Sequence, residues 1–286
     1  MLGKNTSFSE NRVLNCRGKK LDLNEPKVMG ILNITKDSFY DGGKHLDQKS
    51  WTAKAEKLVE EGASIIDIGA VSSKPGSLLT ESASEWEVLK KPIDFLVKKY
   101  PEIIFSVDTY NALTAQKAAD LGVDMINDIS GGSIDKSMIK LVSQNNLAFV
   151  LMHLHGIPEN MQVSPMSGDI IAKVKNFFSM QLSELESEGC KNILLDPGFG
   201  FGKTLDQNYL LLKEMNVFQQ FNYGILVGLS RKSMIFKHLE INPEKALNGT
   251  SVLNTFALQN GAKVLRVHDV REANEVIKLF TKYQQT

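Results

Sequence analysis

Thiols are nearly missing from this chain: 286 residues hold only Cys16 and Cys190, far apart and in no metal-like spacing. That excludes a disulfide scaffold and a thiolate zinc site, and fits a reducing compartment. Long apolar runs are missing too, since none approaches the about 18 residues that a membrane-spanning helix requires. The opening, Met1 to Lys20, is polar and has no apolar core of a secretion signal, so a cytoplasmic protein is expected. Charge of one sign is also absent. Thirty-three basic residues balance thirty-three acidic ones, so no global field draws the chain to nucleic acid or to an anionic membrane, and an anionic ligand must be held by local groups. No low-complexity stretch, charge block or Pro/Gly/Ser linker marks a second domain. The expected division is an appendage over residues 1–26 and one large domain over residues 27–286.

What is present is alternation. Short β-branched apolar runs occur at Val28 to Leu32, Ser64 to Ile68, Ile103 to Val107, Met125 to Asn127, Leu147 to Met152, Ile193 to Leu195, Ile225 to Val227 and Val264 to Val267. Helical periodicity fills the gaps at Lys49 to Glu61, Ser82 to Lys99, Ala112 to Leu121, Lys136 to Gln144, Asp169 to Glu188, Leu205 to Met215, Pro243 to Asn260 and Val270 to Tyr283. Gly62, Gly122, Gly189 and Gly261 each stand between a helix and the next strand, where glycine supplies a left-handed cap. Eight strands with both faces apolar predict a parallel (β/α)8 TIM barrel, with a doubly wound open sheet as the alternative. Ahead of them, Val13 to Cys16, Arg17-Gly18 and Lys20 to Leu23 predict an N-terminal β-hairpin that could plug the barrel bottom.

In such a barrel the residues just after each strand converge at one rim. Here they are Asn33 with Asp37, Asp67 with Ser72-Ser73-Lys74, Asp108, Asn127 with Asp128, His153, Asp196, Ser230-Arg231-Lys232, and Arg266 with His268 and Asp269. Taken singly, Asp128, Asp135, Asp269 and Ser230 read best as helix caps. Taken together, the set predicts a polar pocket with separate acidic and basic regions. Asp108, Asn127 and Asp196, with Lys232 reaching over, suit a flat heterocycle whose adjacent NH and NH₂ groups a carboxylate accepts in a two-pronged geometry. Arg266 and His268, two apart on one strand, share a face and could hold a phosphate group.

Two motifs invite other readings. In the segment Asp196 to Thr204, Gly198 to Gly202-Lys203-Thr204 is one residue short of a nucleotide-binding loop. Its Phe199 and Phe201 could face a flat ligand or belong to the core. His153-Leu-His155 lacks a Cys or third spaced His for zinc. A Mg²⁺ ion held mainly by substrate phosphates is the better expectation, with Asn33 as its protein ligand.

Read in order, the motifs resemble those of the dihydropteroate synthases across nearly the whole chain. The carriers are Met29 to Gly43, Gly62 to Ala70, Lys74-Pro-Gly76, Ser106 to Thr109, Ile126 to Ser130, Leu151 to His153, Leu195 to Gly198, Gly228 to Ser233 and Arg266 to His268. The resemblance implies joining of p-aminobenzoate to a pterin diphosphate with loss of pyrophosphate. It implies that Asp108, Asn127, Asp196 and Lys232 bind the pterin, and that Asn33, Arg266 and His268 hold the diphosphate with Mg²⁺. It also implies that Ser73, Lys74 and Ser233 help to seat p-aminobenzoate, and that the chain pairs as a homodimer. Asp67, Met152, Phe201 and Gly228 complete the expected substrate-binding set. Lys36 and the Val71-Ser72-Ser73-Lys74 loop depart from the common pattern, so sulfonamide response does not follow from the resemblance. The rival readings are a pterin-dependent methyltransferase domain, a non-catalytic pterin-binding protein, and a sugar-phosphate barrel enzyme with its phosphate site after strands seven and eight.

Overall fold

A computed structural model describes residues 12–34, 44–70, 81–157, 159, 161 and 163–286. The chain begins with a hairpin of β1 (Val13–Cys16) and β2 (Lys19–Asp22), paired antiparallel with Cys16 opposite Lys19. Arg17 and Gly18 link them with φ of 51° and 98°. Two successive positive φ values make the turn whose twist matches that of paired strands.

The eight expected strands form, each within two residues of its predicted bounds: β3 (Lys27–Asn33), β4 (Ile65–Gly69), β5 (Ile104–Asp108), β6 (Met125–Asp128), β7 (Ala148–Met152), β8 (Ile193–Asp196), β9 (Gly224–Val227) and β10 (Ala262–Val267). They close in sequence order, all parallel, with β10 paired to both β9 and β3. Closure excludes the open doubly wound sheet.

The helices are α1 (Lys44–Glu60), α2 (Ser82–Lys99), α3 (Ala112–Asp120), α4 (Ser137–Gln144), α5 (Ile170–Ser187), α6 (Leu205–Lys213), α7 (Ser233–Phe236), α8 (Leu247–Gln259) and α9 (Val270–Gln284). Two expected helices are shorter than their periodicity suggested. A 3₁₀ turn, Met215–Phe221, follows α6, and another, Pro243–Lys245, precedes α8. The four-residue α7 was not predicted; one turn is too short to show a period. Gly62 and Gly122 end their helices at φ of 88° and 99°, and Gly189 and Gly261 do the same.

The core has two layers. One lies between the barrel's outer face and the helices, around Phe105, Phe149, Phe178 and Phe218. The other fills the barrel floor, where Leu14, Cys16, Leu21 and Leu23 of the hairpin segment cluster with Met29, Ile65, Ile104, Met125, Leu194, Leu226 and Val264. The hairpin therefore plugs the barrel, and polar ties secure it. Arg17 Nη1 donates to the carbonyls of Ala119 (2.6 Å) and Val123 (3.0 Å), and Lys19 pairs with the buried Asp124 at 2.9 Å. Burial pushes the Cys16 thiol up to about 12, so it stays a protonated packing group.

Candidate active site

Side chains alternate along a strand, so the apolar floor fixes what reaches the other end of the barrel. Two or four residues beyond the floor positions stand Asn33, Gly69, Asp108, Asn127, Asp196 and Arg266. Register sets Asn33, Gly69, Asp108 and Asn127 side by side across β3 to β6. Glycine at position 69 leaves a gap, since a Cβ there would stand 3.5 Å from Asp108 Cβ and 3.6 Å from Asn33 Oδ1.

Arg266 is the centre of the rim. Its Nε donates to Asp67 Oδ2 at 2.7 Å and its Nη2 to Asp108 Oδ2 at 2.8 Å. Asn127 Nδ2 also donates to Asp67 Oδ2, at 2.9 Å. The expectation of separate acidic and basic regions is therefore corrected: the guanidinium lies among the carboxylates. Three inward acids in one barrel would repel, and the fork neutralises two of them. Asp67, expected to face substrate, stands one layer lower, fully buried, and supports Arg266 and Asn127 from beneath. Burial pushes the Asp108 carboxyl up to about 7, with Arg266 opposing and Asp67, Glu85 and Asp128 adding to the rise.

On the opposite wall, burial raises Asp196, against the pull of Lys232 and of the Gly198 N–H that its Oδ1 accepts at 2.8 Å. The Asp196 and Arg266 charges lie close enough to act on each other: the guanidinium favours the ionised form of Asp196, and Asp196 favours the charged guanidinium. Lys232 reaches across from beyond β9, its Nζ donating to the Phe199 carbonyl and lying 4.7 Å from the centre of the Phe201 ring. It passes beside Gly200 and Gly228, where a Cβ would stand 3.6 Å from its Cδ and 3.8 Å from its Nζ. Burial draws Lys232 down to about 8, with Asp196 opposing. The two phenylalanines divide: Phe199 is core, whereas Phe201 packs at the rim with Tyr110, Ile129 and Met152.

His268 does not stand as a second cation. Its backbone N–H donates to Ser230 Oγ at 3.2 Å, and the same hydroxyl shares a hydrogen bond with His268 Nδ1 at 2.9 Å. Desolvation and the Arg266 charge pull His268 down to about 4, and the residue stays exposed at the rim. Ser230 is thus a partner of this ring and not the expected cap. Asp269, also expected to cap, instead grips Arg231 with both oxygens at 2.8 and 2.9 Å, tying the loops after β9 and β10 together. Asp128 and Asp135 do serve backbone N–H groups in turns and helix starts. Ser233 is exposed at the start of α7. Ser73 and Lys74, with Lys36, Asp37 and the rest of the Met29 to Gly43 motif beyond Ile34, lie outside the described residues.

Two groups escaped the sequence reading: Lys203, seen only as part of a failed nucleotide-loop match, and Glu85. Glu85 is buried and accepts from Thr109 Oγ1 at 2.8 Å and Asn111 Nδ2 at 3.0 Å, which anchors the turn after Asp108. A carboxylate in an amphipathic helix start carries no sequence signal that it will turn inward.

A closed parallel barrel with acids and bases gathered at the C-terminal ends of its strands has the layout of an enzyme's ligand-binding end. The chain belongs to the pterin-binding enzyme family, whose model matches residues 29–268. Its relatives are dihydropteroate synthases: that of Escherichia coli is 37% identical over 265 residues, covering 92% of this chain and 93% of the relative. The Haemophilus influenzae enzyme is 37% identical over 271 residues, covering 93% and 97%. Among solved structures, Yersinia pestis dihydropteroate synthase in a sulfonamide complex superposes with a TM-score of 0.89 at 35% identity, covering 96% of this chain and 100% of that one. The Xanthomonas albilineans enzyme with 4-aminobenzoic acid gives 0.89 at 32% identity, covering 97% and 100%. The function is accordingly that of a dihydropteroate synthase, a transferase forming a carbon–nitrogen bond, and the methyltransferase reading is not favoured.

Proposed function

We propose that this rim binds 6-hydroxymethyl-7,8-dihydropterin diphosphate and p-aminobenzoate and divides the work among the residues just placed. The observation that supports the assignment is that Asp108, Asn127, Asp196, Lys232 and Arg266 all stand at or just beyond the C-terminal ends of barrel strands, with Arg266 bonded to Asp108 and the Asp196 charge acting on both Arg266 and Lys232. Asp196 and Asn127 would accept and donate along the pterin's edge, Lys232 would meet its ring acceptors, and Phe201 and Met152 would flank its face. Asn33 fits a hard cation, being a neutral oxygen donor exposed at a strand end beside Asp108. Mg²⁺ held there and by the substrate's phosphate oxygens would supply neutralisation of the leaving diphosphate.

The Nη1 of Arg266 bonds none of the described residues, and the Nε2 of His268 is the ring nitrogen that Ser230 leaves free. Both can therefore donate to diphosphate oxygens while the fork's other arms stay on Asp67 and Asp108. Departure of pyrophosphate leaves positive charge on the pterin methylene, which Asp108 and Asp196 favour, and the aniline nitrogen then attacks that carbon. Ser73, Lys74 and Ser233 would seat the aminobenzoate carboxylate. A homodimer completes the proposal, supported by exposed Leu210, Leu239, Val252 and Phe256 on and between the adjoining helices α6 to α8. Among the described residues no helix is long and apolar enough to cross a membrane, and a cytoplasmic location is part of the same proposal.

The deciding assay is pyrophosphate release from the pterin diphosphate. Sustained release is expected only with both p-aminobenzoate and Mg²⁺ present, and its absence from the complete mixture sinks the reading. A second expectation concerns pH. Because the Asp108 pKa is raised, its charge is missing below about 7 and appears above it. Affinity for 6-hydroxymethylpterin, which carries no phosphate, should rise as pH passes through that value. Asp108→Asn should flatten the profile in calorimetry; an unchanged slope would assign the titration elsewhere.

A further inference from the structure

Beneath the pterin wall lies a second lysine, which the proposed chemistry does not use. Lys203 is 3% exposed, and its ammonium has three donors for three acceptors: Gly198 O at 2.8 Å, Phe201 O at 3.2 Å and His153 Nδ1 at 3.0 Å. Burial draws Lys203 down to about 7, with the Asp196 charge opposing, and the three acceptors offset the cost of burying the charged form. His153 must present a bare Nδ1 to accept, and its burial beside Lys203 keeps it neutral. Phe177 packs edge-on against that ring at 5.1 Å and fixes its plane.

The two carbonyl acceptors belong to the turn that leads from Asp196 to the helix α6. Gly198, Gly200 and Gly202 have φ of 70°, 84° and 68°, which turns the intervening carbonyls toward different neighbours. At Gly198 and Gly202 any side chain would overlap the carbonyl oxygens of His153 and His155, so the turn lies flat on the end of β7. The Gly200 N–H donates to Asn208 Oδ1 at 2.6 Å. The Phe199 carbonyl faces the other way and receives Lys232. One turn therefore holds one lysine below, by Gly198 and Phe201, and one above, by Phe199. At its start the Gly198 N–H fixes Asp196 Oδ1.

We propose that Lys203 is a positioning residue for the pterin subsite: caged by Gly198 O, Phe201 O and His153 Nδ1, it sets the turn that aims Asp196, carries Phe201 and presents Phe199 O to Lys232. It touches no substrate and acts only through these three groups. The inference rests on Asp196 and Lys232 being pterin contacts. Lys203→Met removes the donors while keeping an unbranched chain of similar length. Misaiming a binding group by a fraction of an ångström is expected to weaken 6-hydroxymethylpterin binding by about tenfold or more. The p-aminobenzoate KM at saturating pterin diphosphate should stay unchanged.

Calorimetry with 6-hydroxymethylpterin on the full chain tests this, alongside steady-state KM values for both substrates. A merely structural lysine would lower the unfolding midpoint and the active fraction but leave pterin affinity in the folded fraction intact, and that result overturns the proposal. If Lys203→Met does not fold, the acceptor side decides. His153→Asn keeps an oxygen acceptor near the Nδ1 position and should retain pterin affinity, whereas His153→Leu should lose it. Equal affinity in those two variants overturns the proposal as well. Asp196→Ala separates the two levels: if it keeps full affinity the pterin assignment has failed, and if it loses affinity while Lys203→Met keeps it, only the role of Lys203 has.

Discussion

Arg266→Met is expected to cost the folded protein about 3–5 kcal/mol, before any effect on substrate, because it strands two carboxylates in the barrel. Asp67 is fully buried, and its Oδ2 loses the 2.7 Å contact to Nε. Asp108 loses the 2.8 Å contact to Nη2. Urea unfolding of the wild type and the variant measures the difference. The loss should depend on pH in a stated direction. Asp108 titrates near 7 in the folded protein against an ordinary 3.8, so the folded state keeps a proton that the unfolded chain has released across that interval. Without the guanidinium the folded pKa moves higher still. Below about 7 Asp108 is protonated in both proteins, so its part of the deficit appears only as pH rises above that value. A deficit that shrank on going from pH 6 to pH 8.5 would contradict this pairing.

The same substitution should also lower kcat/KM by about 10² to 10³, as expected when a donor aimed at developing negative charge is removed. Stability and catalysis can be separated. Adding Asp67→Asn and Asp108→Asn to Arg266→Met removes the stranded charges and should restore much of the folding free energy without restoring turnover. Recovery of activity in that triple variant would mean that Arg266 serves the fold alone.

Arg266 also marks where sequence reading stops. Its position at a strand end beside Val264, Leu265 and Val267 made it stand out as functional, because packing gives no reason for a guanidinium there. Its partners were not legible, since Asp67 lies 199 residues away and meets it only when β10 closes onto β3. The strands themselves were legible because both faces of each are buried, and so were the four glycine caps, because a left-handed turn leaves little choice of residue. The helix between β8 and β9 was blurred at its end because its apolar pattern continues through Met215 and Phe218 into a 3₁₀ turn that buries both. Lys203 and His153 were each visible but not as a pair, as two motifs 50 residues apart carry no sign of their contact. Asp269 and Ser230 look like caps locally, and long-range partners, Arg231 and His268, outcompete that role.

Asp196→Ala is expected to abolish pterin recognition. The carboxylate is almost fully buried at the end of β8, with Gly198 N–H on Oδ1 and the Lys232 charge nearby. A ring edge with adjacent NH and NH₂ groups would add two charge-assisted hydrogen bonds, each contributing about 1.5–3 kcal/mol, so their loss corresponds to roughly 10² to 10⁴ in dissociation constant. The alanine variant also frees the Gly198 N–H, which confuses ligand contact with loop position. Asp196→Asn resolves this, because its amide oxygen can still accept from Gly198 while its NH₂ faces a donor where an acceptor is required. The asparagine variant should therefore lose pterin affinity nearly as far as the alanine variant, with a smaller fall in unfolding midpoint. Calorimetric titration of 6-hydroxymethylpterin into both proteins measures the first quantity and thermal unfolding the second. Near-wild-type affinity in Asp196→Asn would mean that the carboxylate acts on the turn and not on the ring, and the map of the rim would have to be redrawn around Asp108.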